Sequence, residues 1–379
     1  MSQLGISARC LTAPFSGRPL KVVIHKKAFC SNIQVTQEIA PDSALLVVVK
    51  ANAYGHGLLD MVEVAGDHDL AVAVPEELAC LSRQGIKNRI WVLEGPFSAS
   101  CLLLSQQASV VWVIHSLWQL QLIASEGRAL KLKICLKLDT GMHRLGLSEP
   151  ELVEALNKLK ALANVELFAV MSHFAESDHE RSIEVRKQIA SFDECVHAHD
   201  LSALPVSLAN SGGIMFYPEA RRQYVRPGIM LYGGMPNSKQ CAKDKGLQAV
   251  MSFESAIISL RRVPKGESVG YGSRWQAARD SIIATIAGGY ADGYPRLAKD
   301  GTPVGVFMTE GELAIAPLVG QVSMDMITID VTDIPEAKVG MPVELWGENI
   351  AVDLVANHSG TIAYDLLTAI SQRVPRCYI

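Results

Sequence analysis

Short apolar runs alternate with longer amphipathic stretches through the first two thirds of this chain. The runs have the length of β-strands, whereas the stretches between them carry apolar residues at helical spacing. Leu152, Leu156 and Leu159 recur at intervals of four and three. Ser148 with Glu151 three positions later has the pattern of a capping box, which predicts a helix beginning there. Eight strand-like runs occur, at residues 45–49, 70–74, 90–93, 110–114, 133–138, 167–171, 205–208 and 223–226.

Eight strands that alternate with helices predict parallel βα units. Eight is also the number of strands that closes a (β/α)8 barrel of about 250 residues. An open doubly wound sheet is the alternative, but the chain has no GxGxxG turn after its first run and no GxxxxGK[ST] loop. We therefore predict an N-terminal (β/α)8 barrel of the TIM type, over residues 12–244. One helix is predicted over residues 148–162 and another over 179–198.

The pattern changes after about residue 240, where strand-like runs are separated by turn signals such as Pro264-Lys265-Gly266. These runs lie at residues 251–263, 281–287, 313–319 and 326–331. Little helix is predicted there until residues 361–370. Residues 245–379 are therefore predicted to form a mostly-β C-terminal domain.

Composition excludes several classes of protein. Charged residues make up 20% of the chain and the net charge is -4, so the basic excess typical of nucleic-acid binders is missing. No apolar run is long enough to predict a membrane span, and the N-terminus lacks the pattern of a signal peptide. The eight cysteines form no CxxC pair and show no metal-type spacing, so we expect reduced thiols, no metal ion and a cytoplasmic protein.

Polar residues follow the predicted strands, and a barrel gathers the C-terminal ends of its strands at one face, where active sites form. Each has a structural explanation too: a lone lysine can extend its ammonium to solvent, a histidine can fill a core, and an arginine can serve an ion pair. Their convergence at one face favours a functional site. The residues are Lys50, Lys137, Asp139, Arg144, Ser172, His173, Asn210, Ser211 and Arg226, with Glu94 and His115 as weaker candidates.

A lysine at the end of a buried strand suggests specific chemistry. Burial drives the pKa of an amine down from about 10.4, and the neutral amine is a nucleophile that forms a Schiff base with a carbonyl group. Pyridoxal phosphate (PLP) offers an aldehyde, a phosphate and a ring nitrogen. Lys50 suits the aldehyde, and a helix that begins at Ser211 offers free N–H groups to the phosphate. We therefore expect a PLP site.

At this point the sequence resembles the alanine racemases over nearly its whole length, and proteobacterial members most of all. The resemblance implies a barrel followed by a β domain, with residues 1–11 as an N-terminal strand packing on the β domain. It also implies a homodimer whose active sites are shared, a small amino-acid substrate, and D-alanine supplied for the cell wall or catabolised. The motifs that carry it are "VVVKANAYGHG", "KLDTGMHRLG", "VRPGIMLYG", "VGYG", "GYADGYPR", "VSMD" and "VELWGEN".

The resemblance implies roles for individual residues. Lys50 holds PLP and Arg226 faces its ring nitrogen, with His173 and Asn210 in support. Lys50 and Tyr271 act as the two bases, for the D and L enantiomers respectively, and Tyr271 comes from the other subunit. Lys137 matches a position that is carbamylated in some members. The phosphate is held by Tyr54, Ser211, Gly228, Ile229 and Tyr364; the substrate is bound by Arg144, Met324 and Asp325; and Tyr290 lines the access route.

Three other functions are considered. A non-catalytic PLP-carrying barrel would lack the β domain that this chain has. A barrel-type PLP decarboxylase of basic amino acids would place an acid at the ring nitrogen, where this chain has Arg226. A racemase that acts on serine or on a broader set of amino acids remains an alternative.

Overall fold

The computed structural model describes residues 17–237, 240–308 and 312–379. The described residues group into two compact units. We call Ile33–Met230 the barrel unit; the strand unit comprises residues 17–32 together with the described part of Leu231–Ile379. The first strand, β1 (Lys21–Ile24), belongs to the strand unit. The N-terminal strand expected in residues 1–11 lies outside the described residues.

Eight parallel strands close a barrel, as the alternating runs predict. The last of these strands pairs back onto the first, with Tyr224 opposite Ala44. Strand residues such as Val47 and Trp112 are fully buried, and several of the strands are continuously apolar rather than alternating, as is typical of parallel strands covered on both faces. The strands are β2 (Ala44–Val48), β3 (Asp69–Val72), β4 (Ile90–Val92), β5 (Val110–Ile114), β6 (Leu132–Lys137), β7 (Val165–Met171), β8 (Val206–Asn210) and β9 (Tyr224–Arg226).

Helices follow the strands of the barrel. Those that begin in the first two thirds of the chain are α1 (Lys26–Ile39), α2 (Lys50–Tyr54), α3 (Leu58–Val64), α4 (Pro75–Arg83), α5 (Ala99–Leu102), α6 (Leu117–Glu126), α7 (Glu149–Leu159), α8 (Ile183–Ala198) and α9 (Ser211–Phe216). The predicted capping pair is confirmed, because the Glu151 carboxylate accepts hydrogen bonds from the backbone N–H and the hydroxyl of Ser148. Helix α8 begins later than predicted because Ser182 caps it.

The strand unit contains an eight-stranded sheet and a small two-stranded one. Four of the strands were predicted, and two of these have the predicted bounds. The strands are β10 (Met251–Val263), β11 (Ser268–Val269), β12 (Trp275–Gln276), β13 (Ser281–Ala287), β14 (Pro303–Phe307), β15 (Leu313–Pro317), β16 (Met326–Asp330), β17 (Pro342–Trp346) and β18 (Arg376–Tyr378). Around this sheet, Phe253 packs on Trp346 with ring centroids 4.7 Å apart, and Tyr294 stacks against the same indole.

Strand β1 does not join the barrel sheet. It pairs antiparallel with β10, with Ile24 opposite Met251, and parallel with β18, with Ile24 opposite Tyr378. The interval 12–244 therefore includes a strand of the other sheet, and the exact domain bounds stay a prediction. The C-terminal region is mostly strands, as predicted, but one helix that was not predicted, α10 (Val352–Ser359), precedes α11 (Ala363–Ala369).

Two further observations bear on the expectations from composition. None of the seven cysteines in the described residues takes part in a disulfide. Among the helices of the described segments, none combines the length and the apolar character that crossing a membrane requires.

The Ser148–Glu151 pair should stabilise the fold measurably. We expect Ser148→Ala to lower the free energy of unfolding by roughly 0.5–1 kcal/mol at pH 7. The hydrogen bonds that Ser148 donates lower the pKa of Glu151. The contribution is therefore present above the unfolded-state pKa of about 4.3, and it is lost as the pH falls through the lowered pKa.

Urea denaturation at pH 7 and at pH 3 measures this effect. Ser116→Ala is the matched control, since Ser116 begins α6 without a side-chain capping bond. If Ser148→Ala and Ser116→Ala lowered the free energy of unfolding equally at pH 7, the capping role of the Ser148–Glu151 pair would be contradicted.

Candidate active site

The barrel brings the predicted polar residues of its own unit to one rim. We define the rim as the C-terminal ends of β2–β9 and the residues directly after them. Parallel strands place these ends at the same face. Lys50 lies two residues after β2, His173 two residues after β7, and Lys137 and Arg226 are the last residues of their strands. Also at the rim are Tyr54, Arg144, Asn210, Ser211, Gly228 and Ile229.

The chain leaves β2 through an unusual left-handed turn. Ala51, Asn52, Ala53 and Tyr54 have φ of 54°, 55°, 52° and 51°, although none is glycine. This conformation costs ~1–2 kcal/mol per residue, so the turn stores on the order of 4–8 kcal/mol. Such strain persists only where the surroundings fix the backbone, and it concentrates at functional sites.

Hydrogen bonds hold this turn in place. The N–H of Ala53 donates to the carbonyl of Val49 at 2.8 Å, and the Asn52 side chain accepts from the N–H of Leu58 at 2.8 Å. The Glu77 carboxylate accepts the N–H of Ala51 at 2.6 Å. The turn therefore fixes the backbone on the C-terminal side of Lys50.

Next to the turn, two glycines approach neighbouring atoms closely. A Cβ atom added to Gly228 would lie 2.5 Å from the hydroxyl oxygen of Tyr54. The N–H of Gly228 donates to the Ser211 hydroxyl at 2.9 Å. A Cβ added to Gly212 would lie 2.2 Å from the carbonyl oxygen of Ser177. Glycine is thus required at Gly212, where the close atoms are backbone, whereas at Gly228 a side chain would displace the end of Tyr54. Both glycines leave bare backbone around Ser211.

Helix α9 begins at this bare backbone. The side chain of Asn210 caps the helix by accepting the N–H of Gly213 at 2.9 Å, and it also accepts the Ser177 hydroxyl at 2.8 Å. The first N–H groups of a helix have no partner within the helix. Together with the hydroxyls of Tyr54 and Ser211, they form a cup whose chemistry fits a phosphate group.

Arg226 lies at the centre of the rim with only 4% of its surface exposed. Its guanidinium donates to the carbonyls of Ser172 and Ser207 at 2.8 Å and to that of Leu208 at 3.1 Å. No carboxylate of the described chain pairs with it. Burial lowers the pKa of Arg226 to about 10, so the group keeps its positive charge at neutral pH.

The tautomer of His173 follows from its contact with Arg226. Nη2 of Arg226 lies 3.1 Å from Nδ1 of His173. A guanidinium can only donate, so Nδ1 accepts and the ring proton is assigned to Nε2. Burial first, and the charge of Arg226 second, hold the pKa of His173 well below its usual value. His173 is therefore a neutral ring that offers an N–H donor at Nε2.

Two lysines share the rim with Arg226. Burial lowers the pKa of Lys50, and the charge of Arg144 lowers it further, while the Glu77 carboxylate opposes both effects. Burial, Arg226 and Arg144 lower the pKa of Lys137 to about 8. Four cationic side chains thus lie close enough to act on one another, which produces a field suited to a ligand with several negative charges.

Arg144 is held by a tight loop between β6 and α7. Oδ1 of Asp139 accepts the N–H groups of Gly141, Met142 and His143 at 3.0–3.1 Å. A Cβ added to Gly146 would lie 2.5 Å from the backbone nitrogen of Asp139. The Arg144 side chain itself is exposed, so this loop presents a cation on a fixed backbone.

Five predicted residues belong to the strand unit instead. Tyr271 is 73% exposed and stands in a turn between Gly270 and Gly272, which have φ of 76° and 69°. Met324 is 53% exposed. Tyr290 is also exposed, and the half-buried Tyr364 lies in α11. Asp325, the fifth, accepts a hydrogen bond from Arg373 at 2.6 Å.

Two residues that hold segments of the candidate site in place, Arg373 and Glu77, were not predicted from the sequence. Arg373 joins Asp325 to the buried Asp292, whose carboxylate accepts the Nε–H of Arg373 at 2.7 Å. Glu77 binds the turn that follows Lys50. The signal for Glu77 was weak, since it reads as an ordinary acid in the first turn of α4; Arg373 had no signal in the spacing.

Comparison with known proteins gives a consistent picture. The family model of the alanine racemase N-terminal domain matches residues 24–236, and that of the C-terminal domain matches residues 250–378. An alanine racemase of Pseudomonas taetrolens is 42% identical over 365 residues, which cover 96% of this chain and 99% of the relative. Such relatives confirm the predicted likeness to proteobacterial members.

Solved structures that are similar to this chain are also alanine racemases. The crystal structure of the biosynthetic alanine racemase from Pseudomonas aeruginosa matches with a TM-score of 0.90 and 41% identity, covering 96% of this chain and 100% of that one. Alanine racemase from Bartonella henselae, solved with covalently bound pyridoxal phosphate, matches with a TM-score of 0.85 and 29% identity. The match covers 96% of this chain and 100% of that chain.

The amine of Lys137 should titrate near pH 8, well below the ordinary value of about 10.4. Because the folded-state pKa is the lower one, the unfolded chain binds more protons between these values, and this group's contribution to stability rises with pH across that window. Arg144→Gln removes a positive charge that lowers this pKa, so the titration midpoint of Lys137 should rise.

NMR of isotope-labelled lysine in the cofactor-free protein measures the midpoint. Arg128→Gln, an exposed change at the end of α6 in the same unit, serves as the control and should leave it unmoved. A Lys137 midpoint near 10.4, or one that Arg144→Gln does not raise, would refute the electrostatic picture of the rim.

Proposed function

The chain belongs to the alanine racemase family, and from this premise we propose that it interconverts L- and D-alanine with pyridoxal phosphate held by Lys50. The observation that carries the proposal is the cationic rim, in which an amine of lowered pKa lies near a buried arginine that pairs with no carboxylate of the described residues. A cofactor with a phosphate, bound together with a substrate carboxylate, supplies the negative charge that this rim lacks.

The barrel residues fit the parts of the cofactor. The cup formed by Tyr54, Ser211 and Gly228 suits the phosphate, since glycine leaves the backbone uncovered and Ser211 begins a helix. Ile229 adds the next backbone N–H, and Tyr364 completes the set proposed for the phosphate. When bound, the cofactor supplies the aldehyde that captures the substrate amine and a ring that withdraws electrons from the α-carbon.

Arg226 controls how strongly the ring withdraws electrons. Its pKa of about 10 keeps the proton on the guanidinium at neutral pH, so Arg226 would donate a hydrogen bond to the ring nitrogen without giving up a proton. Asn210 supports the cup, and His173 holds Arg226 in position. An electron sink of moderate strength suits racemisation, whereas a decarboxylase of this type would need an acid in place of Arg226.

Two bases act on opposite faces of the α-carbon. Nζ of Lys50 takes the proton from D-alanine, and the hydroxyl oxygen of Tyr271 takes it from L-alanine. A tyrosine with the ordinary pKa of about 10 is a weak base at neutral pH. The Nε2–H of His173 is available to donate to that oxygen and favour its ionised form. The neutral state of Lys50 is favoured by burial.

Binding of the substrate carboxylate is assigned to Arg144, to the backbone N–H of Met324, and to Asp325 beside it. The tight loop after β6 presents Arg144 on a fixed backbone. Lys137 supports Arg144. Its position is carbamylated in some family members, and its lowered pKa would provide the neutral amine that such an addition to CO2 needs, with a proton lost as the carbamate forms. The carbamate oxygens would accept hydrogen bonds from Arg144 and restrain its guanidinium.

The active sites are shared within a homodimer in the cytoplasm, with Tyr271 and Met324 contributed by the partner subunit. The strong exposure of both side chains within a single chain supports this arrangement. Large apolar side chains at a protein surface commonly mark interfaces. Tyr290, which is exposed and lies beside the Arg296 guanidinium, lines the access route of the substrate.

A deuterium experiment tests the two-base assignment. In D2O with PLP, the protein should convert either alanine enantiomer into the racemate and place deuterium on the α-carbon. Tyr271→Phe should lower racemisation by about 10²–10⁴-fold, yet Lys50 should still exchange the α-proton of D-alanine. Chiral chromatography and mass spectrometry separate the two outcomes.

Tyr378→Phe, which removes a hydroxyl in strand β18, is the control and should retain activity. Racemisation that persists at the original rate in Tyr271→Phe would refute the role of Tyr271. Failure of the unaltered protein to racemise alanine would refute the proposed function.

A further inference from the structure

We propose that Glu77 is a positioning residue for the reaction, and that its carboxylate holds Lys50 in place by clamping the peptide unit directly after it. This inference rests on the proposed function, which makes Lys50 the group that holds the cofactor and moves a proton. It adds a residue of the helix after β3 to a site otherwise built from strand ends.

The clamp is visible in two hydrogen bonds. Oε1 of Glu77 accepts the N–H of Ala51 at 2.6 Å, and Oε2 accepts the N–H of Ala73 at 2.9 Å. Ala51 follows Lys50 after β2, whereas Ala73 is the first residue after β3. Both oxygens of one carboxylate are therefore used to join the ends of two adjacent barrel strands.

The peptide unit that Glu77 binds lies at the start of the strained turn, so its conformation depends on contacts from elsewhere in the fold. Ala51 is the first of four consecutive residues in the left-handed conformation, with φ of 54°. Its N–H belongs to the same peptide plane as the carbonyl of Lys50, so a bond to this N–H restricts the backbone rotation that aims the lysine side chain. Strained backbone reverts to an ordinary conformation unless its surroundings determine it.

The negative charge of Glu77 acts on the same lysine. Burial and Arg144 lower the pKa of Lys50, and Glu77 raises it, ahead of Glu94 among the groups that do so. The carboxylate thus moderates the loss of proton affinity that the cationic rim imposes. A base that must both take and return a proton works best when its pKa lies near the working pH.

A simpler explanation is that Glu77 stabilises the N-terminus of α4, where negative charge is favourable. Glu76 occupies the same first turn, carries the same charge and is exposed. If only the helix mattered, neutralising Glu76 and neutralising Glu77 would have similar effects. The pair therefore provides an internal comparison.

The test compares Glu77→Gln with Glu76→Gln in the full-length protein. An amide has a single acceptor oxygen, so Glu77→Gln loses one of the two hydrogen bonds and the charge. In the cofactor-free protein, hydrogen exchange in peptides spanning residues 50–57 should become about tenfold faster, and NMR of labelled lysine should show a lower titration midpoint for Lys50. Glu76→Gln should change neither.

Kinetics of the PLP-loaded enzyme add a third readout. Glu77→Gln should reduce kcat by about ten- to a hundredfold in both directions, because a displaced Lys50 reacts less often, while KM changes little. Glu77→Asp keeps the charge and shortens the reach. It should leave the Lys50 midpoint close to that of the parent while exchange in residues 50–57 is still faster.

The inference would be overturned if Glu77→Gln and Glu76→Gln had the same hydrogen-exchange rate in residues 50–57, the same titration midpoint of Lys50 and the same kcat. If Glu77→Gln fails to fold, Glu77→Asp tests the clamp by itself. An unchanged rate of hydrogen exchange in residues 50–57 of that variant would refute the clamp. Exchange and titration need no racemase activity, so they report on the clamp even if the proposed function fails.

Discussion

The structure depends on placing an amine where water is scarce. Lys50 follows a strand that is buried on both faces, and its backbone continues into a left-handed turn of four residues that are not glycine. Both features cost free energy, one through desolvation of the charge and the other through steric strain. A fold retains such costs where they prepare a reactive group, and here they restrain a lysine whose neutral form is the nucleophile.

The rest of the rim follows from this amine. Arg226, Lys137 and Arg144 surround it with positive charge, and the neutral carbonyls that bind Arg226 do nothing to cancel that charge. The barrel unit therefore carries a local excess of positive charge. A phosphate at the N-terminus of α9 and a substrate carboxylate near Arg144 would offset this positive charge. Binding of the cofactor and the substrate is therefore coupled to the electrostatics of the rim.

Much of this was accessible from the sequence because parallel strands are read directly from apolar runs. All eight barrel strands lie at the predicted runs, and the rim residues follow since every strand end faces the same way. Strand β1 was not predicted, because its pairing with β10 and β18 joins residues more than 200 positions apart, which no local pattern encodes. Helix α10 was missed because its apolar residues resemble the strands before it.

The turn after Lys50 and its clamp were beyond sequence reasoning for a physical reason. Local propensity assigns Ala51, Asn52 and Ala53 to right-handed conformations, and only tertiary contacts reverse that preference. The roles proposed for Tyr271 and Met324 rest on the family resemblance, since their own segments show only exposure and turn glycines.

The position at which the cofactor is attached shows whether Lys50 is the reactive amine. Protein loaded with PLP is reduced with borohydride and digested, and the peptides are mapped by mass spectrometry. We expect one pyridoxyl phosphate group per chain, on Lys50, with none on Lys137. Attachment to Lys137 or another lysine, or no attachment at all, would contradict this role of Lys50.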